Sequence, residues 1–263
     1  MSFKTLSYQV EGGVAEIMLT RPEEANTLNA QMVLDLKAVV EKIEQDHSVR
    51  AILLCAAPGP FFCAGGDLVS FAKAGDQLPD FARHMLVDFH PTMQKLFSMN
   101  APLVTAVNGA VAGIGCSFVL GSSLSLFAED ANFTMAYTGA GLSPDGGATY
   151  FLPRIVGLRA AEELILTNRT LSAQEAVEWG IANQMVPADQ LLTAARATAY
   201  KIANGPTLAF GNVRQLLLNS LSSDLATQLD REAESFAEMA GTQDCREGIT
   251  AFLQKRKPDF IGR

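Results

Sequence analysis

The 263-residue chain is poor in cysteine, has no long apolar run and carries no excess of positive charge. Its four cysteines, Cys55, Cys63, Cys116 and Cys245, form neither a CxxC pair nor the Cys/His spacing of a zinc site. They fit small apolar residues kept in a reducing compartment. No stretch approaches the roughly 18 consecutive apolar residues of a membrane span. The opening MSFKTLSYQVEGG lacks an apolar signal core. A formal net charge of −8 argues against nucleic acid or an anionic membrane as the main partner, while leaving room for a local basic patch around an anionic ligand. These absences together predict a soluble, cytoplasmic protein.

With 48% hydrophobic and 18% charged residues, the chain is long enough for one large domain or a domain with a small appendage. Ser7 to Val10 and Val14 to Leu19 read as two strands joined by the Glu11-Gly12-Gly13 turn. Residues 30 to 46 place Met32, Val33, Leu36, Val39, Val40 and Ile43 at helical spacing. Residues 81 to 98 also read as a helix. Ala51 to Cys55, Pro102 to Val107 and Ser123 to Phe127 are short, buried strands. Short apolar strands alternating with helices indicate an α/β fold with a buried sheet. From about residue 157 the pattern becomes helical: Leu158 to Leu166, Ala173 to Trp179, Ala188 to Ile202, Thr207 to Ser220, Asp224 to Ala240 and Thr242 to Gln254. The expected division is an α/β core over residues 1–190 and a helical region over 191–263, with no linker and no obvious internal repeat. Val177, Leu208, Phe210 and Leu217 read as buried positions, within one subunit or between subunits.

Two glycine-rich turns follow buried strands: Phe61 to Asp67, and Asn108 to Ser117. Glycines there let backbone N–H groups approach a ligand closely, and a helix starting near Ile114 adds free N–H groups with a positive dipole end. Two such N–H groups converging on one carbonyl oxygen would form an oxyanion hole. Tight strand-to-helix packing is the plainer reading of either turn alone. Neither turn carries a dinucleotide-binding fingerprint or a P-loop. The segment AYTGAGLSPDGGATYFLPR, residues 136–154, reads as buried backbone and turns with a single carboxylate, Asp145, which locally suits a turn or a helix N-cap.

The ordered set RPEEANTLN (21–29), FCAGGDL (62–68), AVNGAVAGIG (106–115), LSPDGGATYFLPRIVG (142–157), LSAQEAVEWGIANQMV (171–186) and FLQKRKP (252–258) resembles the enoyl-CoA hydratase/isomerase, or crotonase, superfamily over nearly the whole chain. The resemblance implies a crotonase-like spiral of ββα units with a helical C-terminal trimerisation region, giving a homotrimer or a dimer of trimers. It further implies an acyl-CoA thioester substrate, with no metal and no redox cofactor. By the same resemblance the oxyanion-hole donors are the backbone N–H groups of Gly66 and Ile114. By the resemblance Ala64 and residues 24–26, with Ala25, would face the CoA adenine and phosphates, Gly65, Asp67 and Leu68 count with them as substrate-binding, and Phe252 and Lys255 match C-terminal residues that often help to close the CoA site.

Hydratases of this superfamily use two glutamates, and the matching positions here are Ser117 and Tyr137. Water addition needs a group to activate water and a proton donor for the α-carbon, so ordinary hydratase activity is not expected. Asp145, in GLSPD, matches the GLIPD of phenylacetate-pathway isomerases, which rearrange ring-epoxide CoA thioesters and shift 3-enoyl-CoA double bonds. A single carboxylate suits such a 1,3-proton shift, and burial would raise its pKa. Aryl-CoA dehalogenases offer a competing reading, with Asp145 as nucleophile, His90 as base, and Tyr137 where they carry a tryptophan. A lone histidine on a helix commonly faces solvent. A catalytically inactive acyl-CoA-binding member is a third reading. Phe71, Phe81, Met85 and Phe89 suggest an apolar or aromatic acyl group.

Overall fold

The computed structural model describes residues 3–263. The hairpin forms as expected, β1 (Leu6–Glu11) against β2 (Val14–Leu19), antiparallel. Helix α1 (Ala30–Gln45) is capped by Asn29, whose side chain accepts the Met32 N–H at 2.9 Å. Then the chain repeats one motif three times, a strand of a large sheet, a short strand of a second sheet and a helix. The first pass is β3 (Ala51–Ala56), β4 (Phe61–Cys63), α2 (Leu68–Ala74) and α3 (Leu78–Ser98). The second is β5 (Leu103–Val107), β6 (Ala110–Ala112) and α4 (Ile114–Leu120). The third is β7 (Leu124–Ala128), β8 (Asn132–Thr134) and α5 (Ala148–Val156). After α6 (Leu158–Thr167), β9 (Leu171–Ser172) and α7 (Ala173–Glu178), β10 (Gln184–Val186) joins the large sheet.

The large sheet has the order β1-β2-β3-β5-β7-β10, parallel from β2 onward, and the small one the order β4-β6-β8-β9. This is the expected ββα spiral. The repeat lies in strand order and has no counterpart in residue identity. Strands β3 and β5 are buried at every position, which accounts for their unbroken apolar runs. Helix α8 (Leu191–Ala203) packs on β3 and β5. Its inward residues are small, Ala195, Ala199 and Ala203, all buried, so helix and sheet approach closely. Arg196 from α8 pairs in a bidentate fashion with the buried Glu16 of β2, both contacts at 2.7 Å. By these contacts α8, the first helix of the C-terminal region, packs onto the sheet.

Helices α9 (Thr207–Ser220), α10 (Leu225–Ala240) and α11 (Gln243–Leu253) complete the chain. Val177, Leu208 and Phe210 are partly buried, but Leu217 is exposed in the single chain. Arg214 of α9 donates to the carbonyls of Phe97 and Met99 at 2.7 Å each, closing the C-terminal end of α3. Helix α3 starts three residues earlier than predicted and contains Pro91. Helix α5 was not anticipated, because Gly146, Gly147 and Pro153 disguise it as turns. Among the described residues no helix is long and apolar enough to cross a membrane.

Helix α4 rests directly on β4. A Cβ on Gly115 would lie 2.4 Å from the Cys63 carbonyl oxygen and 2.9 Å from Cys63 Cβ. Gly115→Ala is therefore expected to cost at least about 2 kcal/mol through overpacking against backbone. Urea denaturation measures this, and a loss under about 0.5 kcal/mol would contradict the seating of α4.

Candidate active site

The two glycine turns meet. After β4 the chain turns at Gly65 (φ +107°), and after β6 at Gly113 (φ +52°), both in the left-handed region that favours glycine. A Cβ on Gly113 would lie 3.2 Å from Gly65 Cα, so the turns are in backbone contact. The first turn is held by Ala64 N–H to the Ala25 carbonyl (3.0 Å), Leu28 N–H to the Gly65 carbonyl (2.8 Å) and Asp67 N–H to the Leu28 carbonyl (3.0 Å). These bonds leave the Gly66 N–H without an acceptor among the described residues. Ile114 is the first residue of α4, where the helix itself offers its N–H no acceptor. Gly66 and Ile114 line the same cavity.

That cavity has a volume of about 330 Å³. One apolar wall is formed by Phe71, Ala82, Met85, Leu86, Phe89 and Leu142. The 82, 85, 86, 89 spacing is one face of α3, a signal that could have added Ala82 and Leu86 to the sequence reading. Phe81 stands outside the lining, edge-on to Phe71 with ring centroids 6.1 Å apart.

Asp145 is the sole carboxylate among the lining residues. The Tyr137 hydroxyl donates to its Oδ1 at 2.7 Å, and the Ser117 hydroxyl donates to its backbone carbonyl at 3.0 Å. The Ala148 N–H also reaches that carbonyl, at 3.1 Å. The carboxylate makes no N-cap bond; the residue before α5 is Gly147. Gly146 (φ +59°) lets the Asp145 turn press onto α4, for a Cβ there would meet Ile114 Cδ1 at 2.3 Å. Burial pushes the Asp145 carboxyl above its ordinary range, while the Tyr137 bond and the His90 charge pull it partly back. Burial and the adjacent carboxylate push the Tyr137 phenol far up, so it stays a donor. Under the turns, burial raises the Cys63 thiol to about 11 and lifts Cys116 as well, which leaves both protonated and poor nucleophiles.

The remaining expected site residues divide. Ala64, Gly65 and Leu68 line the cavity. Ala25, left-handed at φ +52°, supports the first turn from behind through its carbonyl. Asp67 caps α2, accepting the Val69 and Ser70 N–H groups at 3.0 and 3.1 Å, and lies 3.8 Å from Arg21. His90 is exposed on α3 beside the buried Phe89 and does not line the cavity, although its charge reaches Asp145. Phe252 and Lys255 are exposed and outside the cavity of their own chain. Ser117 was read only as a missing glutamate; its hold on the Asp145 carbonyl is a finding of the structure. Among the described residues, no three His, Cys, Asp or Glu side chains group as metal ligands.

The enoyl-CoA hydratase/isomerase family model matches residues 9–263. The chain belongs to this family. A probable enoyl-CoA hydratase of Rhodobacter capsulatus is 38% identical, with all of both chains covered. A 1,2-epoxyphenylacetyl-CoA isomerase of Escherichia coli is 37% identical over 97% of each. The crystal structure of an enoyl-CoA hydratase/isomerase from Mycobacterium abscessus superposes with a TM-score of 0.92 at 33% identity, covering 98% of this chain and all of that one. The fold is thus that of the crotonases, and the protein is an acyl-CoA enzyme of the hydratase/isomerase class.

The raised carboxyl of Asp145 has a consequence for stability. The native protein holds this proton more firmly than the unfolded chain, whose carboxyl titrates near 3.8. Ionisation of Asp145 therefore costs stability as pH rises from about 3.8 through its raised native value. Asp145→Asn removes that cost. Thermal melts are expected to place the variant above the parent at pH 7, with the gain shrinking toward pH 4. A variant less stable than the parent at pH 7 would contradict a strained carboxylate.

Proposed function

We propose that the protein is an acyl-CoA isomerase that shifts a 3-enoyl-CoA double bond to the 2-position or rearranges a ring-epoxide acyl-CoA, with Asp145 as acid/base. One observation carries the reading: the two positions where the hydratase glutamates would stand hold Ser117 and Tyr137, and both donate to Asp145. The cavity thereby has one carboxylate instead of two. The Gly66 and Ile114 N–H groups would receive the thioester oxygen as negative charge develops there, each contributing on the order of 3 kcal/mol. Asp145 would take the proton from C2 and return it at C4 on the same face. The similarity to an epoxyphenylacetyl-CoA isomerase supports this choice; the equal similarity to proteins named hydratase leaves it to experiment.

Asp145→Asn preserves shape but cannot accept the C2 proton. It is expected to lower isomerisation of 3-enoyl-CoA by about 10²–10⁴-fold, with acyl-CoA affinity nearly unchanged. Retention of near-full activity would refute the assignment. A dehalogenase reading has one observation in its favour, the reach of the His90 charge to Asp145. Halide release from 4-halobenzoyl-CoA, abolished in both Asp145→Asn and His90→Ala, would establish it. Under the isomerase reading His90→Ala stays within about tenfold of the parent, roughly 1.4 kcal/mol of barrier. Binding of acyl-CoA with neither turnover would point to an inactive member.

We also propose that α9, α10 and α11 bury their apolar residues between subunits of a trimer or a dimer of trimers. Leu221, Leu225, Phe236, Phe252 and Leu253 are all more than 60% exposed in the single chain, far more than a solvated helical surface usually leaves open. Sedimentation at low micromolar concentration should give a trimer or hexamer, and a monomer alone would overturn this.

A further inference from the structure

We propose that Tyr137 is a positioning residue that commits Oδ1 of Asp145 to a permanent hydrogen bond and so reserves Oδ2 for the reacting proton. The inference rests on the acid/base reading of Asp145 and deepens it. The Tyr137 hydroxyl donates to Oδ1 at 2.7 Å and the residue's own N–H also reaches the carboxylate, whereas Oδ2 accepts no hydrogen bond from another described residue and belongs to a side chain that lines the cavity. A carboxylate with both oxygens free could rotate and present either one. Here the carbonyl of the same residue is pinned by Ser117, and one carboxylate oxygen by Tyr137, so the other has a single direction to face.

The backbone around Tyr137 is bent to deliver this bond. Ala136 adopts φ +58°, a left-handed conformation that a non-glycine residue takes at a cost. The following turn is then locked, because the Tyr137 carbonyl accepts the N–H groups of Ala140 and Leu142 at 3.0 Å each. The Thr138 hydroxyl donates to the Ile165 carbonyl at 2.7 Å, tying the turn to α6. The ring itself is buried, and its hydroxyl points at the aspartate.

The chemistry that follows is balanced. The C2–H bond breaks and an Oδ2–H bond forms, while the C2–H electron pair moves into the dienolate and its charge settles on the thioester oxygen. Then the C4–H bond forms from the distal dienolate carbon, Oδ2–H breaks, and its electron pair returns to the carboxylate. Through both steps Oδ1 keeps its bond from Tyr137, so the proton cannot migrate to the wrong oxygen. The phenol stays protonated throughout and is never the base.

Tyr137→Phe tests this. The lost bond favours the carboxylate over the acid, so the acid limb of kcat/KM should move to higher pH. At neutral pH kcat should fall roughly ten- to hundredfold, the equivalent of one hydrogen bond to a charged group, with KM within about twofold. A 3-fluorotyrosine placed at position 137 is a stronger donor and should move the limb to lower pH. A folded Tyr137→Phe protein with the parent's limb and kcat would overturn the inference. So would fluorotyrosine leaving the limb unmoved, which decides the matter if the phenylalanine variant does not fold. An active Asp145→Asn protein would instead remove the acid/base reading itself, whereas an inactive one with an unmoved limb in Tyr137→Phe removes the Tyr137 inference alone.

Discussion

The backbone of Gly65 lies against the backbone of Gly113, and much of the site is arranged around that contact. Two strands of the small sheet, β4 and β6, end side by side, and the positive φ of Gly65 and Gly113 favours glycine on both sides of the contact. Ile114 sits immediately after the contact. It lines the cavity and its side chain lies against Gly146, so the turn bearing Asp145 is packed on the first residue of α4. Gly115 then seats α4 on the Cys63 carbonyl. The two glycine turns, α4 and the Asp145 turn are therefore set against one another by one run of close packing.

Within that frame the electrostatics are sparse. The cavity holds one ionisable carboxylate and no cationic side chain in its lining. Burial works against the charge on Asp145, and a phenol hydrogen bond works for it. The balance leaves the carboxyl above its ordinary range, unlike a carboxylate held low by a cation.

Elements with many residues in one period were legible in the sequence. Helix α1 and the helices from α6 onward declare themselves by spacing, and β3 and β5 by unbroken apolar runs. Strands β4, β6, β8, β9 and β10 were not legible, because two or three residues carry no alternation and their pairing is with distant segments. Helix α5 was hidden by the glycines that let Asp145 approach α4. Gly66, Ile114 and Asp145 stand out through motifs, and the fold brings all three to one cavity. His90 shows where a motif falls short: one residue along a helix is about 100° of rotation, so next to an inward Phe89 it faces out. The partnership of Tyr137 with Asp145 could not be read from residue types, since it depends on the left-handed bend at Ala136.

Helix α3 joins two tasks in one rod. Its first half forms a cavity wall through Ala82, Met85, Leu86 and Phe89, and its far end is fastened to α9 by Arg214. Between them stands Pro91, which has no N–H to offer the Val87 carbonyl, so the helix lacks one of its internal hydrogen bonds where the tasks divide. Substitutions at Ala82, Met85, Leu86 or Phe89 would therefore change the cavity wall without touching the bonds from Arg214 to the Phe97 and Met99 carbonyls.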